Sequence, residues 1–474
     1  MRPFQTVSQL DAERRRVLAV LRRHGWNATS FQVLEPGFRY WFADEDACVA
    51  YVDTGRAWVA AGAPLTHPKR IAEVARRFHQ HARSAGRRVA FFGVEERMVE
   101  ARPWPSLLIG EQPEWDAETW PEALRSSSSL REQLRRARAK GVTVRTATRE
   151  ELVSPRSRLR PELEALVAAW LGRHEMPPMG FLVQVDPLTL LEEHRVHLAE
   201  QNGRPVAFLT AAPILARPGW LLQNLIRGPE APNGTTELLV DHAMRDAEAQ
   251  AGADETPMVT LGLAPLAGQV VPALRLARSA GSVLFDFEGL QAFKARLRPS
   301  RWRPIHLVHP PDQGATRTML DVLEAFARDR LLRFGLHTLL RGPTVVVRLL
   351  AALLVPWTVL LAVADPWHFP AEWVRWGWVS FDVLLAAALF RLAVRWSDRL
   401  SRVVVAAVGL DAVVTLAQVL AWNLPRSRSL TDVLTSLVAV TAPSLAFLIL
   451  WRARVRRRAP PGGEDGARRP GRSG

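Results

Sequence analysis

Hydrophobic and polar positions follow two different patterns along the chain, and the change comes near Pro343. Before it, apolar runs of strand length (Ala57–Ala61, Arg88–Phe92, Pro205–Ala211) alternate with stretches whose apolar residues recur at helical spacing (Ile71–Ser84, Glu237–Ala251). This alternation predicts an α/β or α+β soluble region with helices laid on sheets. After Pro343 polar positions become sparse. Pro343–Ala364, Trp376–Val394, Val403–Trp422 and Val433–Trp451 each come near the ~20 residues that a ~30 Å hydrocarbon layer requires. Four spanning helices in a small α-helical bundle are the expectation, with Asp382 and Arg391 interrupting the second. The mean hydropathy of −0.03 averages the two populations and describes neither.

The soluble stretch is long for one domain, and a basic segment, Ser126–Gly141, falls near its middle. Two lobes are therefore expected, 1–125 and 126–310, then a linker helix (311–342), the membrane region (343–452) and a disordered tail (453–474) rich in Pro, Gly and Arg. In the basic segment, Ser129 with Glu132 three residues on reads as a capping box, Leu130 and Leu134 share a face, and Gly141 ends the helix. Another face carries Arg131, Arg135 and Arg138 at i, i+4 and i+7, beside Arg136 and Lys140. Such a stripe suits a phosphate backbone or, equally, serves as a solvated helix face.

Charge narrows the partners. Lys and Arg number 62 against 47 Asp and Glu, and a net charge of +15 predicts attraction to nucleic acid or to an anionic membrane face. Lys69, Lys140 and Lys294 are the only lysines, so a bound phosphate would meet mostly guanidinium forks. The lone Cys48 excludes internal disulfides and zinc sites of paired cysteines. The histidines show no spacing with carboxylates that suggests a metal, and none is expected. Met1–Arg16 lacks the apolar core of a signal peptide, so the first residues are expected to stay in the cytoplasm.

The arginines orient the spans. Arg341 precedes the first, Arg375 alone lies in the first loop, Arg395, Arg399 and Arg402 crowd the second, and Arg452 to Arg458 follow the last. Both termini inside is the arrangement this implies, a multi-pass protein of the cell membrane, although the loop Arg426–Asp432 runs against it. Trp367, Trp373, Trp376 and Trp422 supply an aromatic belt on the outer side. Asp382 and Asp411 raise the idea of a proton or transport path; pairing with Arg391, Arg348 or a polar neighbour is preferred, since the spans show no internal repeat.

More specific strings run through the soluble region: Ser30–Tyr40, Asp53–Arg56, Ala231–Glu237, Leu261–Leu266 and Phe287–Arg296, closed by Pro299 and Trp302. In this order, over roughly Gly25 to Val308, they resemble the catalytic domain of the phosphatidylglycerol lysyltransferase family, also called lysylphosphatidylglycerol synthases or multiple peptide resistance factors. The resemblance implies tandem acetyltransferase-like (GNAT) folds and transfer of an aminoacyl group from aminoacyl-tRNA to the headgroup of phosphatidylglycerol or a related anionic phospholipid, with no cofactor. Members of that family commonly carry their membrane helices before the catalytic domain; here the apolar spans follow it.

Carried onto this chain, the resemblance implies a catalytic cleft with Lys294, Arg296 and Glu237, and substrate contacts from Asn224, Arg227 and Asn233. Lys294 and Arg296, flanking the turn Phe293–Arg298, would hold the tRNA 3′ phosphate or stabilise the oxyanion. Glu237 is alternatively a first-turn residue favoured by the helix dipole. Some relatives have an aspartate at the position of Asn224, thought to hold the amino group of the amino acid. Arg131, Arg135 and Arg138 would bind the tRNA.

Two other functions fit the same residues. An acyl-coenzyme A N-acyltransferase needs an Arg/Gln-x-x-Gly-x-Gly/Ala turn leading into a helix; Arg83–Arg88 and Arg278–Val283 come nearest, and both lack the final small residue. A non-enzymatic membrane-anchored protein that binds tRNA or anionic lipid differs only in lacking activity. The arginine pattern makes one prediction directly: reporters fused at Gly474 and within Asp365–Arg375 will report opposite faces of the membrane. A signal from the outer face at Gly474 would overturn the even-span arrangement.

Overall fold

Twelve strands among the described residues join in one mixed sheet. The computed structural model describes residues 10–154, 156–173, 180–183, 189–252, 255–268, 287–327, 343–363, 369–394, 397–427 and 430–458. In chain order the strands are β1 (Arg39–Asp44), β2 (Ala47–Asp53), β3 (Ala57–Ala61), β4 (Arg88–Val94), β5 (Ser106–Asp116), β6 (Val142–Thr146), β7 (Arg195–Gln201), β8 (Arg204–Pro213), β9 (Gly219–Arg227), β10 (Met258–Thr260), β11 (Ala264–Pro265) and β12 (Arg301–Val308). The helices of this unit are α1 (Ala12–His24), α2 (Ile71–Ser84), α3 (Glu96–Ala101), α4 (Trp120–Ser126), α5 (Ser128–Ala139), α6 (Arg149–Val153), α7 (Leu159–Arg173), α8 (Thr235–Ala249), α9 (Phe287–Arg296) and α10 (Ala315–Ala327). The strands lie in the order β1-β2-β3-β4-β12-β5-β10-β9-β8-β7-β6, with β11 beside β5.

The same succession occurs twice. Three antiparallel strands lead into a helix and then into a strand parallel to the third: β1-β2-β3-α2-β4, and β7-β8-β9-α8-β10. This is an acetyltransferase-like arrangement in two halves, the fold class that the sequence strings imply. Each helix of the pair is amphipathic for a visible reason. In α2, Ile71, Val74, Ala75, Phe78 and Ala82 fall at spacings of three and four and pack with Trp58 and Phe91 of the sheet. In α8, Leu239, Val240, Ala243 and Ala247 do the same against Trp115 and Leu209.

β12 lies between β4 and β5, antiparallel to both, so the end of the second half completes the sheet of the first. The helix α10 then packs on the first half. Arg88 donates from Nε and Nη2 to Asp321 at 2.8 and 2.6 Å, and Val322 and Ala325 join the core that holds Val59 and Phe92.

The basic helix α5 begins two residues earlier than the capping box implied. Ser127, not Ser129, is the cap, and its Oγ accepts from the Leu130 N–H at 3.3 Å. Glu132 does not reach back to a cap, because Arg135 and Arg136 take its carboxylate at 2.8 and 2.7 Å. Gly141, at φ +78°, ends the helix as its sequence suggests. The start of α8 presses on α5: Gly234 is at φ +90°, and a Cβ there would collide with the carbonyl of Gln133.

The second unit contains α11 (Pro343–Val363), α12 (Glu372–Val394), α13 (Asp398–Gln418) and α14 (Leu430–Arg458). Among the described residues, three stretches are long and apolar enough to cross a membrane: Glu372–Ala393, Asp398–Arg426 and Asp432–Trp451. Helix α11 occupies the place of the first expected span, Pro343–Ala364, and its described apolar stretch is Leu350–Val363. Asp411 accepts from Thr415 Oγ1 at 3.0 Å, and Asp382 is buried. Among the described residues neither forms an ion pair, and Arg391 is exposed.

Two glycine substitutions separate backbone strain from collision. Both Gly234 and Gly141 have positive φ, but a Cβ at Gly141 meets nothing within 4 Å. Gly141→Ala is expected to cost about 1 kcal/mol, and Gly234→Ala clearly more, because strain and collision add. Thermal unfolding of the two variants in detergent checks the order; equal losses would show that α5 and α8 are not in the contact described.

Candidate active site

The parallel pair β9–β10 is paired over only three positions, from Gly219↔Met258 to Leu221↔Thr260, while β9 runs on to Arg227. The strands therefore part after Leu221 and Thr260. Leu222–Arg227 borders one side of the resulting wedge and Leu261–Leu263 the other. The first half has no such early parting, since β3 and β4 pair along all of Ala57–Ala61. Carboxyl ends of parallel strands, where main-chain groups lose their sheet partners, are where open sheets gather ligands.

The β9 side carries an irregularity. Thr210 pairs with Gln223 and Phe208 with Ile226, so Asn224 and Leu225 together oppose Leu209 in a bulge. Asn224 has φ +39°, a conformation that costs a residue with a side chain roughly 1–3 kcal/mol and persists where the surroundings enforce it. Its Nδ2 donates to Thr210 Oγ1 at 3.1 Å. Gln223, beside it, was not singled out by sequence. Its Oε1 accepts from Gln32 Nε2 at 3.0 Å, and its Nε2 lies 3.0 Å from His194 Nε2. His194 Nδ1 is 2.9 Å from the Leu190 carbonyl, which can only accept, so Nδ1 carries the proton and Nε2 accepts from Gln223. Burial pushes this imidazole down to about 4, so it stays neutral at physiological pH. Gln32 lies in the Ser30–Tyr40 string, and this chain of amides ties that string to β9.

Lys294 sits differently from its expected place at a turn. It is on α9, 5% exposed, and donates from Nζ to the carbonyls of Leu261, Gly262 and Leu263 at 2.9, 2.8 and 2.9 Å. All three protons of the ammonium are thereby engaged. Burial pushes its pKa down to about 7, while three carbonyl acceptors favour the charged form. In this arrangement Lys294 fixes the far wall of the wedge and has no N–H left for an oxyanion. Arg296, two residues on, is exposed, so the structure does not bring the two cations together.

The loop from β9 to α8 gathers three expected residues. Arg227 Nη2 donates to the Ala231 carbonyl at 2.7 Å and to Asn233 Oδ1 at 3.0 Å. Glu237 is half-buried in the first turn of α8, where the dipole favours a carboxylate. The stripe on α5 is exposed but partly neutralised. Arg131 caps the carbonyls of Leu124 and Arg125, Arg135 shares Glu132, and Arg138 pairs at 3.0 Å with Asp241, itself 2% exposed. Among the described residues no three His, Cys, Asp or Glu side chains gather as a metal site would need. Arg83–Arg88 closes α2 and enters β4, so it does not lead into a helix as a pyrophosphate turn must; Arg278–Val283 lies outside the described residues.

A wedge at the carboxyl ends of a parallel pair, inside a β-β-β-α-β unit, is the arrangement of the acetyltransferase-like fold class. Two solved structures share the fold of the chain. One is the C-terminal domain (DUF2156) of a lysylphosphatidylglycerol synthetase from Agrobacterium fabrum: 21% identity, 66% of this chain and 95% of that one covered, TM-score 0.55. The other is L-PGS from Bacillus licheniformis: 21% identity, 69% and 99% covered, TM-score 0.56. Comparison with curated proteins gave no match. The chain belongs to the family described as phosphatidylglycerol lysyltransferase, C-terminal, whose model matches residues 18–309. It is a transferase of a family whose role is lipid aminoacylation.

Lys294→Met is expected to destabilise the protein by about 3 kcal/mol or more, since each buried carbonyl left without a donor costs about 1–3 kcal/mol. The pH dependence has a definite sign. A folded pKa near 7, below the unfolded 10.5, means that the unfolded chain holds this proton more tightly, so stability rises with pH between about 7 and 10.5. Thermal unfolding across that range should show a rise in the wild type that is missing in Lys294→Met; parallel curves would show that the burial is not felt.

Proposed function

We propose that this protein transfers an aminoacyl group from aminoacyl-tRNA to the headgroup hydroxyl of phosphatidylglycerol or a related anionic lipid, at the cytoplasmic face of the membrane. The family match over residues 18–309 carries the lipid-aminoacylating part of this reading. Support for a tRNA donor is the exposed stripe on α5, a helix whose Gln133 carbonyl abuts Gly234 at the start of α8. Support for the membrane acceptor is the set of three apolar helices in the same chain. Tethering the cleft to the layer that holds its acceptor raises the effective concentration of headgroups.

The reaction makes modest demands. The lipid hydroxyl oxygen bonds to the ester carbonyl carbon, the bond from that carbon to the ribose oxygen breaks, and the hydroxyl proton ends on the departing ribose oxygen. The ester is already activated, so alignment and charge at the oxyanion dominate. In the proposed site Asn224, on its bulge, faces the amino acid. Arg227, exposed beside Asn233, supplies positive charge in place of the engaged Lys294, and Arg296 remains free to meet phosphate. Glu237, with no ion-pair or hydrogen-bond partner among the described residues, receives the hydroxyl proton and passes it on. Lys294 acts as a positioning residue through the Leu261–Leu263 turn.

Label transfer from charged tRNA to extracted lipid is the decisive assay, with RNase-treated donor as the control. Arg227→Ala should lower turnover by about 10²-fold if its charge stabilises the oxyanion. Transfer that survives RNase treatment, or proceeds from an acyl-coenzyme A instead, would sink the proposal; full activity in Arg227→Ala would remove only that residue.

The stripe has its own measurement. Arg131→Gln and Arg135→Gln leave the Arg138–Asp241 pair intact, and each lost phosphate contact should flatten the log–log salt dependence of tRNA binding by roughly 0.7 to 0.9. Unchanged slope and affinity would make α5 a solvated face.

A further inference from the structure

The first half has a parallel pair of its own, and the carboxyl ends of β3 and β4 play no part in the proposed transfer. There the chain turns at Gly62 and Gly93, with φ +72° and +75°. Asn27 fills the space between the strand ends: its Nδ2 donates to the Gly93 carbonyl at 3.2 Å and lies 3.1 Å from where a Cβ on Gly62 would be. The Ala28 N–H donates to Glu95 Oε1 at 2.7 Å, just past the end of β4. These two bonds pin the residue before them, Trp26, beside the strand ends.

Two guanidinium groups stack on that indole. Arg97 of α3 lies 3.1 Å from the ring centroid, and Arg217, from the turn between β8 and β9 in the other half, lies 4.7 Å from it. Glu95 balances only one of them, taking Arg217 Nη2 at 2.7 Å. Arg97 has no carboxylate within ion-pair distance among the described residues. Two further donors are enclosed without an acceptor, Trp26 Nε1 and Arg217 Nε. Buried polar groups are nearly always partnered, so unmatched donors of one kind beside an unbalanced cation call for an acceptor that carries negative charge.

We propose that Trp26, Arg97 and Arg217 form a second site, separate from the transfer wedge, that binds a phosphate-type oxyanion. Only Glu95 lies within ion-pair distance of this pair of guanidinium groups, with Glu96 taken by Arg303 and Glu100 acting on Arg97 at longer range, and a phosphodiester monoanion suits the donors left over. The donors come from three separate segments, which suits the several directions of a tetrahedral oxyanion better than the single plane of a carboxylate. The same chemistry is offered by a lipid headgroup and by free phosphate. The site stands or falls without reference to the transfer reaction.

Isothermal titration calorimetry on the detergent-solubilised full chain at low salt tests it, with inorganic phosphate and with glycerophosphoglycerol, the soluble headgroup of phosphatidylglycerol, as probes. Saturable binding of at least one probe is expected. Arg97→Met should weaken it by about tenfold or more, and Trp26→Phe, which keeps the ring but removes the donor, by a smaller factor. Thermal unfolding of each variant confirms the fold; should Arg97→Met not fold, Arg97→Lys, which loses the fork but keeps the charge, replaces it with the same direction expected. Tighter binding of glycerophosphoglycerol assigns the site to a lipid headgroup, and tighter binding of phosphate to the free ion. No saturable binding of either probe, or wild-type affinity in both variants, overturns the proposal. Phosphate binding that persists in a protein without label transfer would leave this site standing and the proposed function not.

Discussion

Glu114, on β5, is 1% exposed and takes Arg301 at 2.9 Å and Arg303 at 3.2 Å from β12. A buried carboxylate without a partner is strongly destabilising, so this carboxylate dictates which strand lies beside it and in which register. Arg301 and Arg303 are two apart and share a face of β12; a slip of one residue would turn both away. Arg301 also grips Asp116 through two bonds of 3.0 Å, and Arg303 reaches Glu96 at 2.6 Å. On its other edge, Glu114 pairs in register with Thr260, the last residue of β10 before the strands part. Thr260 Oγ1 donates to the Pro113 carbonyl at 2.7 Å and accepts from the Gly262 N–H at 3.0 Å, which starts the turn that Lys294 holds. The wall of the candidate cleft is thus continuous with the ion pairs that join the two halves.

The local elements were legible because each rests on short-range chemistry. Ala57–Ala61 and Ile71–Ser84 form the strand and helix that their patterns imply, and the Asn233–Gly234 turn opens a helix with Glu237 in its first turn. The capping of α5 was misplaced because Ser127 and Ser129 are both competent caps, and the competition for Glu132 by two arginines is decided only in the folded helix. The position of Lys294 was illegible for a different reason. Its acceptors are main-chain carbonyls some thirty residues earlier, and carbonyls leave no mark in the identity of a side chain. The same holds for Gln223, whose partners Gln32 and His194 are distant in sequence and ordinary in type. In the second unit, composition alone places the helices, and Pro343–Val363 matches the first expected span almost end to end.

The two halves share a topology and differ in what occupies the end of their parallel strands. In the first, Asn27 and Glu95 close the space with hydrogen bonds, and aromatic and cationic groups stack outside it. In the second, the strands separate early and a buried lysine keeps one of them from relaxing back. A duplicated framework can therefore support one open and one filled strand end with no change in the order of its elements, which is why fold alone does not assign the chemistry.

The placement of β12 also governs how the chain must be assembled. Glu96, just after β4, and its partner Arg303 are 207 residues apart. At about 5–20 residues per second, roughly 10 to 40 seconds of synthesis separate the appearance of β4 from that of the strand that covers it. Throughout that interval an almost wholly apolar strand edge stands unpaired, a template for wrong partners and a natural client for a chaperone. The apolar helices emerge only afterwards, from Pro343 onward. The sheet can therefore close before these helices leave the ribosome, so that folding of the soluble part and membrane insertion are separated in time.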